Sequence, residues 1–125
     1  MHDSYLSFYL HANRIRVFVK VLRGIGSPNR ICFMISDDGQ KLMIAPHESR
    51  DFTSHHVPSS TYSGVGGFDV NSQKLCRIIA AKQHWDINKS YRVPGTLVSE
   101  KNVAIFSLGE ASVIERESAN GQKEE

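Results

Sequence analysis

The most informative pattern of apolar and polar positions lies at Arg30–Pro46, where two short apolar runs are separated by a polar segment. Two apolar runs flank Asp38-Gly39, a dipeptide typical of tight turns because glycine adopts positive φ angles at little cost. The pattern therefore predicts a β-hairpin. Both faces of each run are apolar, since Phe33 and Met34 point in opposite directions along the first strand. Such a hairpin needs a cover on each face, supplied by the rest of the chain or by a second copy of it.

Upstream of this hairpin, the pattern predicts a weak strand near 5–10, a turn at His11–Asn13 and a strand at 14–18. Apolar residues spaced three and four apart then predict a short helix that ends near Gly24. The predicted order is strand, strand, helical turn and hairpin.

Downstream, the segment His47–Gly67 is rich in Ser, Thr, His and Gly, and it predicts a long surface connection with a short strand near Tyr62. A short strand at Phe68–Val70 comes next. Residues 72–83 then have the spacing of an amphipathic helix packed across one face of the sheet, with Asn71 or Ser72 as its N-cap.

The last third of the chain predicts a strand interrupted at Pro94-Gly95, because proline has no N–H for the ladder. A turn at Ser99–Asn102 and a final strand at 103–108 follow. We expect Ala111–Arg116 to be helical and the last residues to be disordered. The apolar positions expected in the core are Phe33, Ile35, Leu42, Ile44, Leu75, Ile79, Val103 and Ile105.

Both halves of the chain follow the order β-α-β-β, at about 5–46 and 62–108, and the polar loop 47–67 joins them. The alternative is two unrelated stretches of an α+β domain. The sequence predicts a β-rich α+β fold around a central hairpin. One globular domain spans 1–109, and the tail 110–125 is acidic and partly disordered.

Composition places the chain among ordinary globular proteins, with 125 residues, 40% hydrophobic and 22% charged. No run approaches the ~18 apolar residues of a membrane span, and the polar start is unlike a signal peptide. We therefore expect a cytoplasmic, bacterial protein. Cys32 and Cys76 lie among apolar residues, which favours buried reduced thiols over a disulfide.

Charge is distributed unevenly, although the net charge is only +2. Residues 110–125 carry five acids against two bases, a net −3. Between Ser4 and Ser36 there is no acid, and the basic residues are Arg14, Arg16, Lys20, Arg23 and Arg30. Two interpretations of this basic stretch stay open. It is a phosphate-binding rim on a strand and the following loop, or a solvated face that balances acids brought near by the fold.

The polar loop contains His47, His55 and His56 together with Glu48 and Asp51. His55 and His56 are adjacent and not spaced i, i+4, and no pair of cysteines accompanies them, so a solvated polar loop is favoured over a zinc or nickel site. His, Asp and Ser in one loop are also too common to indicate a catalytic set. We expect no metal, no cofactor, no small-molecule substrate and no enzymatic activity.

Two further motifs have structural explanations. Gly64–Gly67 precedes a strand and lacks the lysine of a phosphate-binding loop, so it indicates a flexible joint. Trp85, Tyr91 and Phe106 can stack on nucleic-acid bases. Their positions beside apolar periodic residues favour packing in the core.

Part of the chain resembles a family of bacterial transcription regulators with a swapped-hairpin fold, the AbrB and MraZ type. The similarity lies in the run IRVF at 15–18, in Leu22 and Gly26, and in CFMISDDGQKLMIAP at 32–46. It implies an AbrB-like barrel, DNA binding and a homodimer. MraZ-type proteins carry two such units in tandem, which matches the repeated element order. The segment Val19–Leu22 departs from the family because it lacks the usual proline-led helix start.

Over residues 10–111 the chain is also similar to a group of small bacterial proteins often met near mobile elements. The shared features are His84-Trp85-Asp86, the motif YRVPG at 91–95 and the strand AIFSL at 104–108. This similarity implies no activity. Two hypotheses follow: a small non-enzymatic DNA-binding regulator that uses the basic strand and loop, or a protein-interaction module of a mobile element.

Overall fold

The computed structural model describes residues 2–47 and 54–114. The strands are β1 (Ser4–Tyr9), β2 (Arg14–Phe18), β3 (Arg30–Ile35), β4 (Lys41–Pro46), β5 (Ser54–His56), β6 (Gly67–Asn71), β7 (Ser90–Val98), β8 (Val103–Ser107) and β9 (Ser112–Val113). The α-helices are α1 (Val19–Gly24) and α2 (Gln73–Gln83). Short 3-10 turns cover Leu10–Ala12, Ser59–Ser63, Ser99–Lys101 and Leu108–Glu110.

The strands form one antiparallel sheet in the order β5-β3-β4-β8-β7-β1-β2-β6, and β9 adds to the side of β7. The two strands at the ends of this order, β5 and β6, line a common cleft of about 420 Å³. The sheet is therefore curled into a nearly closed barrel with a seam between β5 and β6. The predicted β-rich fold is confirmed.

Local chemistry explains the turns that the sequence predicts. Gly39 has a φ of +73° at the tip of the β3–β4 hairpin. The Asp38 carboxylate accepts hydrogen bonds from the Ser36 hydroxyl at 2.7 Å and from the Gln40 N–H at 2.9 Å. These bonds lower the pKa of Asp38 because they favour its charged form. Asn13 and Asn102 both have a φ of 53° where the β1–β2 and β7–β8 connections turn back.

The long helix α2 begins as predicted, because the Ser72 hydroxyl accepts a hydrogen bond from the Leu75 N–H at 3.2 Å. The face that it buries is displaced from the expected one. Cys76, Ile79 and Ala80 are buried, whereas Leu75, expected in the core, is only partly buried and Ile78 is 37% exposed.

The two helices lie at opposite ends of the barrel. β2 and β6 are antiparallel neighbours, with Phe18 opposite Gly67 and Arg14 opposite Asn71. α1 begins directly after β2, and α2 begins after Ser72, directly beyond β6. Antiparallel strands end at opposite edges, so each helix follows a different end. α2 contacts β2 and the 3-10 turn Leu10–Ala12; its packing across a sheet face stays a prediction.

The hairpins of the first half are inserted between strands of the second half. β1 and β2 lie between β7 and β6, and β3 and β4 lie between β5 and β8. The element order β-α-β-β occurs twice, as β2-α1-β3-β4 and β6-α2-β7-β8. Each strand of the first half has a counterpart in the second: β1 and β5, β2 and β6, β3 and β7, β4 and β8. If every strand is replaced by its counterpart, the same order results, read in the opposite direction around the barrel. The β3–β4 hairpin is thus one of several, not the centre of the sheet.

Other elements differ from expectation. Tyr62 belongs to the 3-10 turn Ser59–Ser63, and the strand of this region is β5 instead. Pro94 does not break β7, because it lies between the residues that pair with β9 and those that pair with β8. Ser112–Val113 is a strand, so the predicted helix at 111–116 is wrong there; residues 115–125 lie outside the described part.

The core fills the inside of the barrel and the contacts with α1 and α2. Of the expected core residues, Leu42, Ile44 and Ile79 are completely buried. The prediction that Ile105 is a core residue is wrong, since its side chain points outward from β8 and is 37% exposed. The largest fully buried side chains are Phe8, Phe106, Leu6, Ile15, Leu22, Ile25, Ile31, Leu42, Ile44, Ile79, Leu108 and Val17.

Candidate functional site

The five predicted phosphate-binding residues do not all share one strand face. Arg14 and Arg16 lie on the outer face of β2, where they alternate with buried Ile15 and Val17. If the alternation of β2 continued, Lys20 would share this face, but α1 begins at Val19 and carries Lys20 away from it. Arg23 lies in the last turn of α1, and Arg30 is the first residue of β3. The basic residues therefore fall into a β2 pair and a group at the α1 end of the barrel.

The β2 pair is partly neutralised by an acid from the second half of the chain. Asp69 on β6 lies 3.0 Å from Arg16 Nη1 and 3.8 Å from Arg14 Nε. The side chains of Arg14, Arg16 and Asp69 are all about one-third to one-half exposed. Two positive charges and one negative charge leave one net positive charge on this face. Here the fold does bring an acid to the basic stretch.

The other three cations contact uncharged acceptors. Lys20 Nζ donates to the Asp3 carbonyl at 2.7 Å. Arg23 Nη2 donates to the carbonyls of Tyr62 and Gly64 at 2.9 and 3.2 Å. Within residues 2–47 and 54–114, the ion pairs closer than 4.0 Å are those of Asp69 and one between His2 and Glu110. Lys20 and Arg23 are therefore held in place with no acidic side chain of these described residues within 4.0 Å.

Arg30 is held in the same way. Its Nε donates to the Ser54 hydroxyl at 2.8 Å, across the β3–β5 pair, and its Nη2 reaches the Ser54 carbonyl at 3.5 Å. It has no acidic partner among the described residues. Its guanidinium has five N–H donors, and these contacts use two of them.

The loop between Arg23 and Arg30 is fixed by the 3-10 turn Ser59–Ser63. The Tyr62 hydroxyl donates to the Pro28 carbonyl at 2.5 Å, while Arg23 binds the Tyr62 carbonyl. Burial raises the pKa of Tyr62, so its hydroxyl remains a donor at neutral pH. Both arginines therefore flank one ordered loop, as the sequence predicts.

A cleft of about 830 Å³ opens beside this loop. Arg30 and His56 are directly opposite each other on β3 and β5 and thus share a face. The His47 N–H donates to the Arg30 carbonyl at 2.9 Å, which places His47 beside them. None of the described lining residues is acidic; they are Ile25, Gly26, Pro28, Asn29, Arg30, Pro46, His47, His56 and Asn102.

His55 takes no part in this cleft, since consecutive residues of a strand face opposite sides. Its ring packs edge-on against Phe33, with ring centres 5.4 Å apart. Burial, and then the nearby charge of Arg30, lower the pKa of His55. In the described ranges no three His, Cys, Asp or Glu side chains converge to hold a metal ion. Glu48 and Asp51 of the polar loop lie outside those ranges.

The aromatic candidates for base stacking pack against one another. Trp85 stacks on Tyr91 with ring centres 4.5 Å apart and meets Phe8 edge-on at 5.3 Å. Tyr91 is 8% exposed and Phe106 is fully buried. Tyr91 and Phe106 are therefore part of the core, and Trp85 is partly buried against Tyr91 and Phe8.

Sequence reasoning does not identify His47, His56 and Asn102 as neighbours of Arg30. It interprets the histidine-rich loop as a solvated connection. The signal that could have found them is the alternation in Ser54-His-His56, which forms strand β5 and turns one histidine toward Arg30.

A second surface is apolar and lies on the outer face of β3, β4 and β8. Met34, Met43 and Ile105 are direct cross-strand neighbours. Met34 is 44% exposed and Ile105 is 37% exposed, while Cys32 is half-buried. The outer face of the hairpin is therefore only partly covered within the described chain.

No family model matches this chain, and neither a curated protein nor a solved structure resembles it significantly. In the described part of the chain, no helix has the length and apolar character needed to cross a membrane.

Proposed function

We propose that this protein is a small, non-enzymatic regulator of the bacterial cytoplasm that binds DNA through the α1 end of its barrel. The observation that carries the proposal is the group Lys20, Arg23 and Arg30. Their donors are oriented by carbonyl and hydroxyl oxygens, and no described acid neutralises them. Fixed, uncompensated cations of this kind favour contact with backbone phosphates.

Arg14 and Arg16 contribute less to this interface than the sequence suggests. Asp69 already lies between them, so DNA must compete with an existing ion pair. We assign Lys20, Arg23 and Arg30 to the main interface, and we place the β2 pair at its margin.

The topology supports an AbrB-like, swapped-hairpin interpretation of the α+β fold. Each hairpin of the first half is flanked by strands of the second half, and the two halves exchange around the barrel without changing its order. A tandem repeat of a swapped-hairpin unit within one chain would have this arrangement. The resemblance to AbrB and MraZ regulators in turn favours DNA over other polyanions.

We also propose a homodimer formed through the outer face of β3, β4 and β8. Met34 and Ile105 are large apolar side chains that the described chain covers only partly, and a second copy can bury them against the same row. Light scattering should give twice the 14.0 kDa of one chain. Met34→Lys/Ile105→Lys should return the mass to a single chain, and a parent mass of one chain at high concentration would contradict the dimer.

A DNA titration tests the main proposal. Fluorescence anisotropy with a labelled duplex at about 50 and 200 mM salt gives the salt slope, which decreases by about 0.9 for every phosphate that the protein no longer neutralises. Arg23→Gln/Arg30→Gln should weaken binding and reduce the slope by about two. Arg77→Gln/Lys82→Gln on α2 is the matched control, because it removes the same charge at the other end of the barrel. If the parent binds no duplex at low salt, the proposal is wrong.

The exposed apolar row also favours the second candidate function, a protein-interaction module of a mobile element. An interface of this kind has little salt dependence, because no counterions are released. Binding of a protein partner that is abolished in Met34→Lys and kept in Arg23→Gln/Arg30→Gln would favour this alternative over DNA binding.

A further inference from the structure

The cleft at the α1 end has the size of a ligand site. Its volume of about 830 Å³ falls within the range of roughly 300–1,000 Å³ found for sites that hold small molecules. A single phosphate would leave most of it empty, whereas a nucleotide would fill a large part. The position beside Arg30 connects it with the surface proposed above to bind DNA.

Its basic side chains converge from three neighbouring segments of the chain. Arg30 and His56 form a cross-strand pair, and His47 follows β4 on the other side of β3. Ser54 holds Arg30 through its Nε and Nη2 atoms and leaves three guanidinium N–H groups for another acceptor. With no acid among the described lining residues, the site favours an anion, and a phosphate suits the forked donors of arginine.

The rest of the lining suits the neutral part of a nucleotide. Asn29 and Asn102 supply amide groups, which can both donate to and accept from a base edge. Pro28 and Pro46 add apolar surface. The φ of 53° at Asn102 fixes the backbone that carries one of these amides into the cleft.

We infer that this cleft binds one nucleotide unit, with its phosphate on Arg30, His47 and His56 and its base near Asn102. The inference rests on the proposed nucleic-acid binding and deepens it by naming a site for a single nucleotide. The nucleotide comes from a free pool or from an unpaired position of a strand, since both present the same phosphate and base.

The test is an NMR titration of the full 125-residue chain with inorganic phosphate, thymidine 5′-monophosphate and a single-stranded oligothymidine. Arg30→Gln/His56→Gln should weaken the mononucleotide at least about tenfold. The control Arg77→Gln/Lys82→Gln should stay within about twofold. Arg30→Lys is the second variant if the double variant does not fold, because it keeps the charge and removes the forked donors of the guanidinium group. Its affinity for the mononucleotide should fall between those of the parent and the double variant.

Asn102 has a matched control elsewhere in the fold. Asn102 and Asn13 share a φ of 53° and a ψ of 43°, so glycine is tolerated equally at both. Asn102→Gly should weaken the mononucleotide more than inorganic phosphate, because it removes an amide that only the base can reach. Asn13→Gly, at the β1–β2 turn, should change neither.

The outcomes separate this inference from the proposed function. Two results would overturn the cleft site. One is that the mononucleotide causes no saturable NMR chemical-shift change at about 10 mM. The other is that it binds the Arg30→Gln/His56→Gln variant as tightly as the parent. Duplex binding that persists in that case leaves the DNA proposal standing. Mononucleotide binding without duplex binding supports the cleft and refutes the DNA proposal. If the oligothymidine competes with the mononucleotide, the natural ligand is a nucleotide within a strand. If it does not compete, the natural ligand is a free nucleotide.

Discussion

Two strands of the barrel pack tightly at Gly95 and Phe106, which are directly opposite on β7 and β8. Phe106 is fully buried, and its ring covers the glycine. A methyl group on Gly95 would overlap this ring, at 2.7 Å from Cε2, and would lie 2.8 Å from the Ile105 carbonyl oxygen. The ring belongs to the core and cannot rotate away into solvent.

Gly95→Ala should therefore destabilise the protein by about 3 kcal/mol, at the upper end of the usual cost of overpacking. Phe106→Ala should cost about 3–5 kcal/mol through reduced burial and a cavity. In the double variant, the methyl group added at position 95 enters space that the ring has left. The clash with the Ile105 carbonyl remains, so relief is partial. We expect the double variant to be about 2 kcal/mol more stable than the sum of the single effects predicts.

Urea unfolding at constant slope measures these free energies. Gly64→Ala is the control, because a methyl group there meets its nearest atom, the Thr61 carbonyl oxygen, at an ordinary 3.8 Å. It should change the free energy of unfolding by less than about 0.5 kcal/mol. Gly95→Ala with parent stability, or strictly additive effects in the double variant, would refute the packing argument.

Three further predictions concern charge and protonation. Asp69→Asn should change the free energy of unfolding by less than about 1 kcal/mol, because the ion pairs of Asp69 are partly exposed. If the β2 face contacts DNA, the same variant should bind duplex DNA more tightly and with a steeper salt slope, and an unchanged slope would exclude that face. The pKa of His55 is lower in the folded protein than its ordinary 6.5, so the unfolded chain binds the proton more readily. The free energy of unfolding should therefore fall as the pH drops below about 6.5. Urea titrations at pH 5.5 and 7.5 should show a smaller difference in His55→Phe than in the parent. Burial raises the pKa of Cys76 to about 11, so its thiol should be unreactive in the folded protein. In a Cys32→Ser background, a thiol reagent should label Cys76 only as fast as unfolding exposes it. Rapid labelling of the folded chain would contradict the burial.

The turns and element boundaries were predictable because their causes are local. The Asp38-Gly39 turn, the left-handed residues Asn13 and Asn102, and the Ser72 cap depend on φ angles and on hydrogen bonds within a few residues. These preferences act in any fold that contains the segment. The sequence therefore determined the hairpin, the strand before α1 and the start of α2.

Strand pairing and surfaces depended on contacts between residues far apart in the chain. Arg16 meets Asp69 across 53 positions, and Arg30 meets Ser54 across 24. No periodicity within one segment specifies which strand lies beside it. The interleaving of the two halves, the partial neutralisation of the β2 pair and the cleft beside Arg30 therefore depend on tertiary structure.

The burial of apolar residues shows the same division. Alternation along β8 separates Ile105 from Phe106, but it does not say which of the two faces points inward when both are apolar. Closure of the barrel places Phe106 inside and leaves Ile105 in a row with Met34 on the outer surface. Residue alternation is enough to show that the hairpin has two apolar faces, whereas the curvature of the sheet selects the face that becomes the core.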